Sequence, residues 1–271
     1  MIGICIPAHN EERHIAACLR AVTLAARHPL LGDEPVRIVV VLDHCRDATA
    51  RLAAAWPVQR LAIRARNVGI ARATGSQFLL DAGARWLSYT DADTIVSPRW
   101  LVDQLSLNAE VVCGTVGVAG WTAHGRNAGA AHSHFVSRYQ DRDGHRHVHG
   151  ANLGIAAHAY RRSGGFAPLP CSEDQALVDR MAQAGFRIAW TARPRVITSA
   201  RPYSRVEGGF ATALRAAAAG VPDCPVPPPA PPGRLTRAAW CAQAVARPQS
   251  VSDPPMPLAT TAAGGGPGGR V

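Results

Sequence analysis

With 271 residues, the chain can make one large domain or two small ones. Its formal charge of +10 is carried by arginine alone, because no lysine occurs; the arginines are dispersed and aromatics make up only 6%, so a stacking platform for nucleic acid is excluded as the leading reading, and biased GC-rich codon usage explains the composition better. No apolar run of about 18 residues is present to span a bilayer, and MIGICIPAHNEER turns charged too early for a signal-peptide core, so a cytoplasmic protein is expected, with peripheral contact at the inner face of a membrane left open.

In chain order, Ile2–Ile6 is a short apolar run stopped by Pro7, the pattern of a buried strand entering a loop. Ile15, Cys18, Leu19 and Val22 then recur at helical spacing, with Glu11 and Glu12 suited to a first turn. Val36–Cys45 is a second buried strand, and Asp47 opens a helix that Pro57 closes. A weak strand at Leu61–Ile63, a helix over Asn67–Ala84 and a strand at Trp86–Thr90 repeat the alternation. Strand and helix in turn imply an α/β fold with a mostly parallel central sheet flanked by helices, wound by right-handed crossovers. From Val221 onward Pro and Gly dominate, and residues 221–271 are expected to be a disordered tail behind a folded unit of residues 1–220.

Ligands in such sheets collect at the carboxyl ends of the strands. Three of those ends carry the distinctive residues: Pro7-Ala8-His9-Asn10-Glu11, Asp43-His44-Cys45-Arg46-Asp47 and Asp91-Ala92-Asp93. A carboxylate at the end of a buried strand is costly unless something positive shares the site. Two of them one residue apart point to a hard divalent cation, Mg²⁺ or Mn²⁺, completed by phosphate oxygens. The alternative use of Asp93 is to cap a helix beginning at Ser97-Pro98. The seven cysteines, Cys5, Cys18, Cys45, Cys113, Cys171, Cys224 and Cys241, are odd in number, fall at no metal-like spacing and are read as reduced thiols. His145, His147 and His149 alternate as zinc ligands on one strand face would, but an acceptor-side loop is the preferred reading.

Two enzyme classes use such an aspartate pair. DADTI fits locally the Asp-x-Asp-x-Thr of haloacid-dehalogenase-type phosphatases, which also need a late basic residue, usually lysine, that this chain lacks. The segments IPAHNEE, VLDHCRDAT, NVGIARATG and YTDADTIVSPRWL, followed by HGANLGIAAHAYRRSGGF and SEDQALVDRMAQAGFRI, resemble in order and spacing those of family 2 glycosyltransferases, over about 200 residues. The resemblance implies a nucleotide-diphospho-sugar transferase fold of the GT-A type. It places a nucleotide-binding half at residues 1–100 and an acceptor half at residues 101–220.

It also implies roles. Pro7, Ala8 and His9 would lie against the base, Glu11 on the ribose and Asp43 on a base imide N–H, as in relatives that use UDP-sugars; a UDP-sugar donor is favoured over a GDP-sugar. Arg72, with Arg66 as the alternative, would offer a fork to the diphosphate. Asp91 and Ala92 would border the sugar or ribose, and Asp93, with Asp91, would hold the metal. Asp174, backed by Glu173, would take the proton of an unidentified acceptor hydroxyl, and one displacement would invert the anomeric centre. His149 or Asn152 would line the acceptor side. Where a late histidine completes the metal site in related folds, this chain has Thr198-Ser199-Ala200-Arg201. The rival outside catalysis is a degenerate nucleotide-sugar-binding module.

Overall fold

The computed structural model describes residues 1–169 and 171–201, together with Gln249–Ser250. The remainder of the expected tail lies outside the described residues.

The apolar runs become strands because each is buried on both faces. β1 (Ile2–Ala8) and β2 (Val36–Asp43) lie side by side in parallel, with Ile4 opposite Ile38 and Ile6 opposite Val40, and nearly every residue of the pair is out of solvent. β3 (Gln59–Ile63) joins β2 and β4 (Trp86–Tyr89) joins β1, both in parallel. The crossovers are α1 (Ile15–Ala26), α2 (Thr49–Ala54) and α3 (Val68–Asp81).

The second part of the sheet reverses direction. β6 (Val111–Gly114) and β8 (Leu153–Ala156) pair antiparallel, β8 also pairs antiparallel with β4, and β9 (Ile188–Thr191) lies parallel to β6. β5 (Thr94–Val96), β7 (Gly117–Ala119) and β10 (Val196–Ser199) form a separate three-stranded sheet with β10 in the middle. α4 (Trp100–Leu105), α5 (Ala128–Arg138), α6 (Ala157–Arg162) and α7 (Glu173–Gln183) complete the chain, and β11 (Gln249–Ser250) adds an antiparallel edge to β3.

Three local expectations are corrected. α1 starts at Ile15, so Glu11 and Glu12 precede it and its first turn holds no acid. α4 starts at Trp100, and Ser97-Pro98 form the turn before it, closed by the Trp100 N–H on the Ser97 carbonyl at 3.0 Å. Thr94–Val96 is a strand, so Asp93 caps no helix.

Helix α3 lies tight on the sheet because Gly75 lacks a side chain. A Cβ there would collide with Cys5 Sγ and stand 3.0 Å from Val41 Cγ2. Gly69 does the same against the Ala167 carbonyl. No helix among the described residues is long and apolar enough to cross a membrane. Cys5, Cys18, Cys113 and Cys171 are free thiols.

Candidate active site

The loops after β1, β2 and β4 converge on a cavity of about 620 Å³, the size of a small-molecule site. Its wall includes Pro7, Ala8, His9, Glu11, Asp43, Arg66, Arg72, Asp91, Ala92, Asp93, His149, Glu173 and Asp174, so the structure brings together every site residue expected from the sequence except Asn152. Asn152 is fully buried. Its amide donates to the carbonyls of Thr115 (2.7 Å) and Pro194 (2.9 Å) and accepts from Trp100 Nε1 (2.9 Å), so its acceptor-side role is corrected to a core polar bridge between strands.

The cavity's floor is held by side chain to backbone bonds between loops. The Glu11 N–H donates to Thr49 Oγ1 at 2.7 Å, the Arg46 N–H to Asn10 Oδ1 at 2.8 Å and the Ala48 N–H to Glu12 Oε2 at 3.0 Å, which laces the loop after β1 to the one after β2. Asp43 accepts three backbone N–H groups, from Ala65 and Arg66 at 2.8 Å and from Asn67 at 2.9 Å. It therefore shapes the turn into α3, and this loop-holding task is one the sequence did not reveal. Asn10, His44, Arg66 and Ser172 all adopt left-handed backbone without being glycine. Each costs roughly 1 kcal/mol or more, and such strain concentrates at functional loops.

Arg72 departs from its expected role. Its side chain is only 4% exposed, donates from Nη1 to Glu173 and from Nη2 to Asp91 Oδ1 at 2.6 Å, and lies over the Phe166 ring at 5.8 Å. With both ends of the fork held by carboxylates, it serves as a clamp between the end of β4 and the start of α7 and is not presented to a diphosphate. Glu173, equally buried, is the other jaw. Arg66 lines the same cavity with no carboxylate partner among the described residues and is the better placed of the two arginines.

Asp174 is half-buried and oriented by two donors, Gly150 N–H on Oδ2 at 2.6 Å and Gln175 N–H on Oδ1 at 2.8 Å. Gly150 also has to lack a side chain, since a Cβ on it would collide with the Arg72 guanidinium. The clamp and the candidate base thus share one glycine.

His149 also faces the cavity. Tyr139 Oη accepts from the Val116 N–H at 2.7 Å and is hydrogen-bonded to His149 Nε2 at 3.0 Å. Burial, reinforced by the neighbouring His147 and His145, drives the His149 pKa down to about 3, so the ring is neutral. His145 Nδ1 accepts from the His147 N–H at 3.0 Å, and His147 Nε2 accepts from the Gln140 N–H at 3.1 Å. The three rings stack at 5.6 and 6.0 Å with those nitrogens engaged by the chain, an arrangement unlike a zinc site.

The Asp93 side chain is 5% exposed and lies among other charges. Desolvation lifts its pKa to about 6, Arg201 opposes the rise and Asp91 and Glu11 add to it. Arg201 donates to Glu11 Oε1 at 2.6 Å and stands with Nη2 3.3 Å from Asp93 Oδ2. Thr198 Oγ1 lies 3.5 Å from Asp93 Oδ1. Neither Thr198 nor Arg201 was assigned a site role by the sequence; the available signal was an arginine two residues after the strand Val196–Ser199.

Among the described residues, no three His, Cys, Asp or Glu side chains form a ready cation cage. The donor set still fits Mg²⁺ or Mn²⁺, because these cations take one or two carboxylates and leave the remaining positions to phosphate oxygens and water. Asp91 and Asp93 supply the carboxylates at the cavity's edge.

The family profile described as Glycosyl transferase family 2 matches residues 3–161, more than half of the chain. This chain belongs to glycosyl transferase family 2. The match includes the aspartate pair, which removes the ground for a haloacid-dehalogenase reading of DADT. Solved structures share the fold at low identity. The mannosyltransferase PcManGT from Pyrobaculum calidifontis, in complex with GDP-Man and Mn²⁺, superposes with a TM-score of 0.53 at 16% identity over 72% of this chain and 56% of its own. S. aureus TarS 1-349 with UDP-GlcNAc gives 0.53 at 14% identity over 77% and 61%. GalNAc-T7 with UDP, GalNAc and Mn²⁺ gives 0.52 at 15% over 77% and 44%. The family 2 chain described here therefore spans less than two thirds of the length of these proteins. No curated protein matches it.

Proposed function

We propose that this family 2 chain transfers a sugar from a nucleotide diphosphate donor to a hydroxyl acceptor with inversion, residues 1–100 forming the donor side and residues 101–220 the acceptor side. The carrying observation is that Asp174, oriented and open to the cavity, faces it together with Asp91 and Asp93, while Glu173 beside it is locked to Arg72. Of the adjacent acids Glu173 and Asp174, that division of labour leaves Asp174 to take a proton.

In this reading Pro7, Ala8 and His9 flank the base, Glu11 meets the ribose and Arg66 approaches the diphosphate. Asp93 and Asp91 would hold Mg²⁺ or Mn²⁺, which when bound offsets the negative charge of the leaving diphosphate. Asp174 Oδ1 or Oδ2 accepts the acceptor's hydroxyl proton as its oxygen bonds to the anomeric carbon and the bond to the diphosphate breaks on the opposite face. Neutral His149, bonded to Tyr139, borders the acceptor in this reading, and with its pKa pushed down to about 3 by burial it is a weak base there. The parallels in ligand support the donor class: the neighbouring structures hold GDP-Man, UDP-GlcNAc or UDP.

Asp174→Asn tests the assignment. Turnover is expected to fall by roughly 10²–10⁴-fold while nucleoside diphosphate binding changes by less than about threefold. Unchanged turnover in the variant would remove Asp174 from the role.

A further inference from the structure

Asp93, the carboxylate placed to hold a divalent cation, already has a positive partner. Arg201 Nη2 stands 3.3 Å from Asp93 Oδ2, and the other end of the same guanidinium is anchored on Glu11 at 2.6 Å. Both acids are 5% exposed and the arginine side chain 29%, so this is a charge cluster largely withdrawn from water. Two negative groups and one positive group leave it one charge short of neutrality, and removing either cation source from Asp93 exposes a desolvated charge. The guanidinium and a metal ion would share one carboxylate, and two cations brought together there repel each other. Burial pulls the Arg201 pKa down, but Asp93 and Glu11 more than offset it, so the side chain stays charged throughout.

We propose that Arg201 is an internal counter-ion that holds the Asp93 position in the nucleotide-free protein, and that the donor's diphosphate draws it off, so that metal and nucleotide bind as a linked pair. The proposal rests on the metal-assisted reading of the site. The unequal contacts give the exchange its geometry: the shorter bond keeps Nη1 on Glu11 while Nη2, the more distant contact, swings from Asp93 to a phosphate oxygen. Two negative phosphates entering the cavity give the guanidinium an alternative partner and leave Asp93 available. Arg201 is thus a positioning residue for metal entry.

The test is calorimetric titration of Mn²⁺ into the full chain, alone and at saturating UDP or GDP, for the wild type, Arg201→Gln and Arg201→Lys. In the wild type, nucleotide is expected to tighten Mn²⁺ binding by about 30-fold or more, within the usual range of coupling between sites. Arg201→Gln is expected to bind Mn²⁺ alone about 5–10-fold tighter than the wild type and to lose most of the nucleotide-induced gain. Arg201→Lys, which keeps the charge, returns the Mn²⁺ affinity toward the wild-type value. Mn²⁺ binding to Arg201→Gln that is no tighter than to the wild type, including none measurable in either, overturns the proposal while leaving the donor reading intact if UDP or GDP still binds. Failure of every nucleoside diphosphate to bind sinks the donor reading and this proposal with it.

Discussion

Arg72 shows how one side chain's role depends on partners far away in sequence. It sits on a helix face where a solvated or ligand-binding fork is equally legible, but its partners are 19 and 101 residues away, Asp91 and Glu173. Replacing it strands two carboxylates, one of them almost fully buried. Arg72→Met is expected to lower unfolding free energy by about 3–5 kcal/mol in urea denaturation, the cost of breaking a buried pair from one side; a loss below about 1 kcal/mol would mean the clamp is not formed. His149 gives a second prediction at this scale. Its folded pKa, about 3, lies below the ordinary 6.5, so the unfolded chain binds the proton more readily between these values. Its contribution to stability is therefore full above pH 6.5 and is lost as the pH falls toward 3. The melting temperature is expected to decline below about pH 6.5, and His149→Gln, which retains an acceptor for Tyr139, should flatten that decline. An identical acid slope in the variant would assign the decline to other groups.

Among the elements, strands were the most legible part of the chain. β1, β2 and β4 are apolar runs buried on both faces, and each ends in the acids that mark the cavity, so periodicity and punctuation sufficed to place Glu11, Asp43, Asp91 and Asp93. What was not legible depends on pairing at long range. The reversal at β8 and the small sheet of β5, β10 and β7 leave no local signature, yet that small sheet carries Thr198, and Arg201 just beyond it, to Asp93. Asn152, expected with His149 on the acceptor side, is instead tied into the core by its bonds to Trp100, Thr115 and Pro194, all of them distant in sequence. Helix α3 supplies the element-scale prediction. Gly75→Ala forces a methyl group onto Cys5, a residue with no exposed surface, so a loss of about 1–3 kcal/mol is expected from thermal or chemical unfolding. No measurable loss would mean that α3 can lift from the sheet without penalty.

At the scale of the whole molecule, the parallel strands bring Glu11, Asp43 and the aspartate pair to one edge, and the reversed strands return the 148–150 loop and the N-terminus of α7 to the same cavity from the other side. The two sets meet at Arg72, which grips Asp91 with one nitrogen and Glu173 with the other. The most direct test of this account is the release of nucleoside diphosphate from a panel of UDP-, GDP-, dTDP- and CDP-sugars by the purified chain with Mn²⁺ or Mg²⁺. The account predicts slow hydrolysis or transfer with one nucleotide class, lost in Asp93→Ala; binding and turnover of none of them, by a chain that is folded, would contradict it.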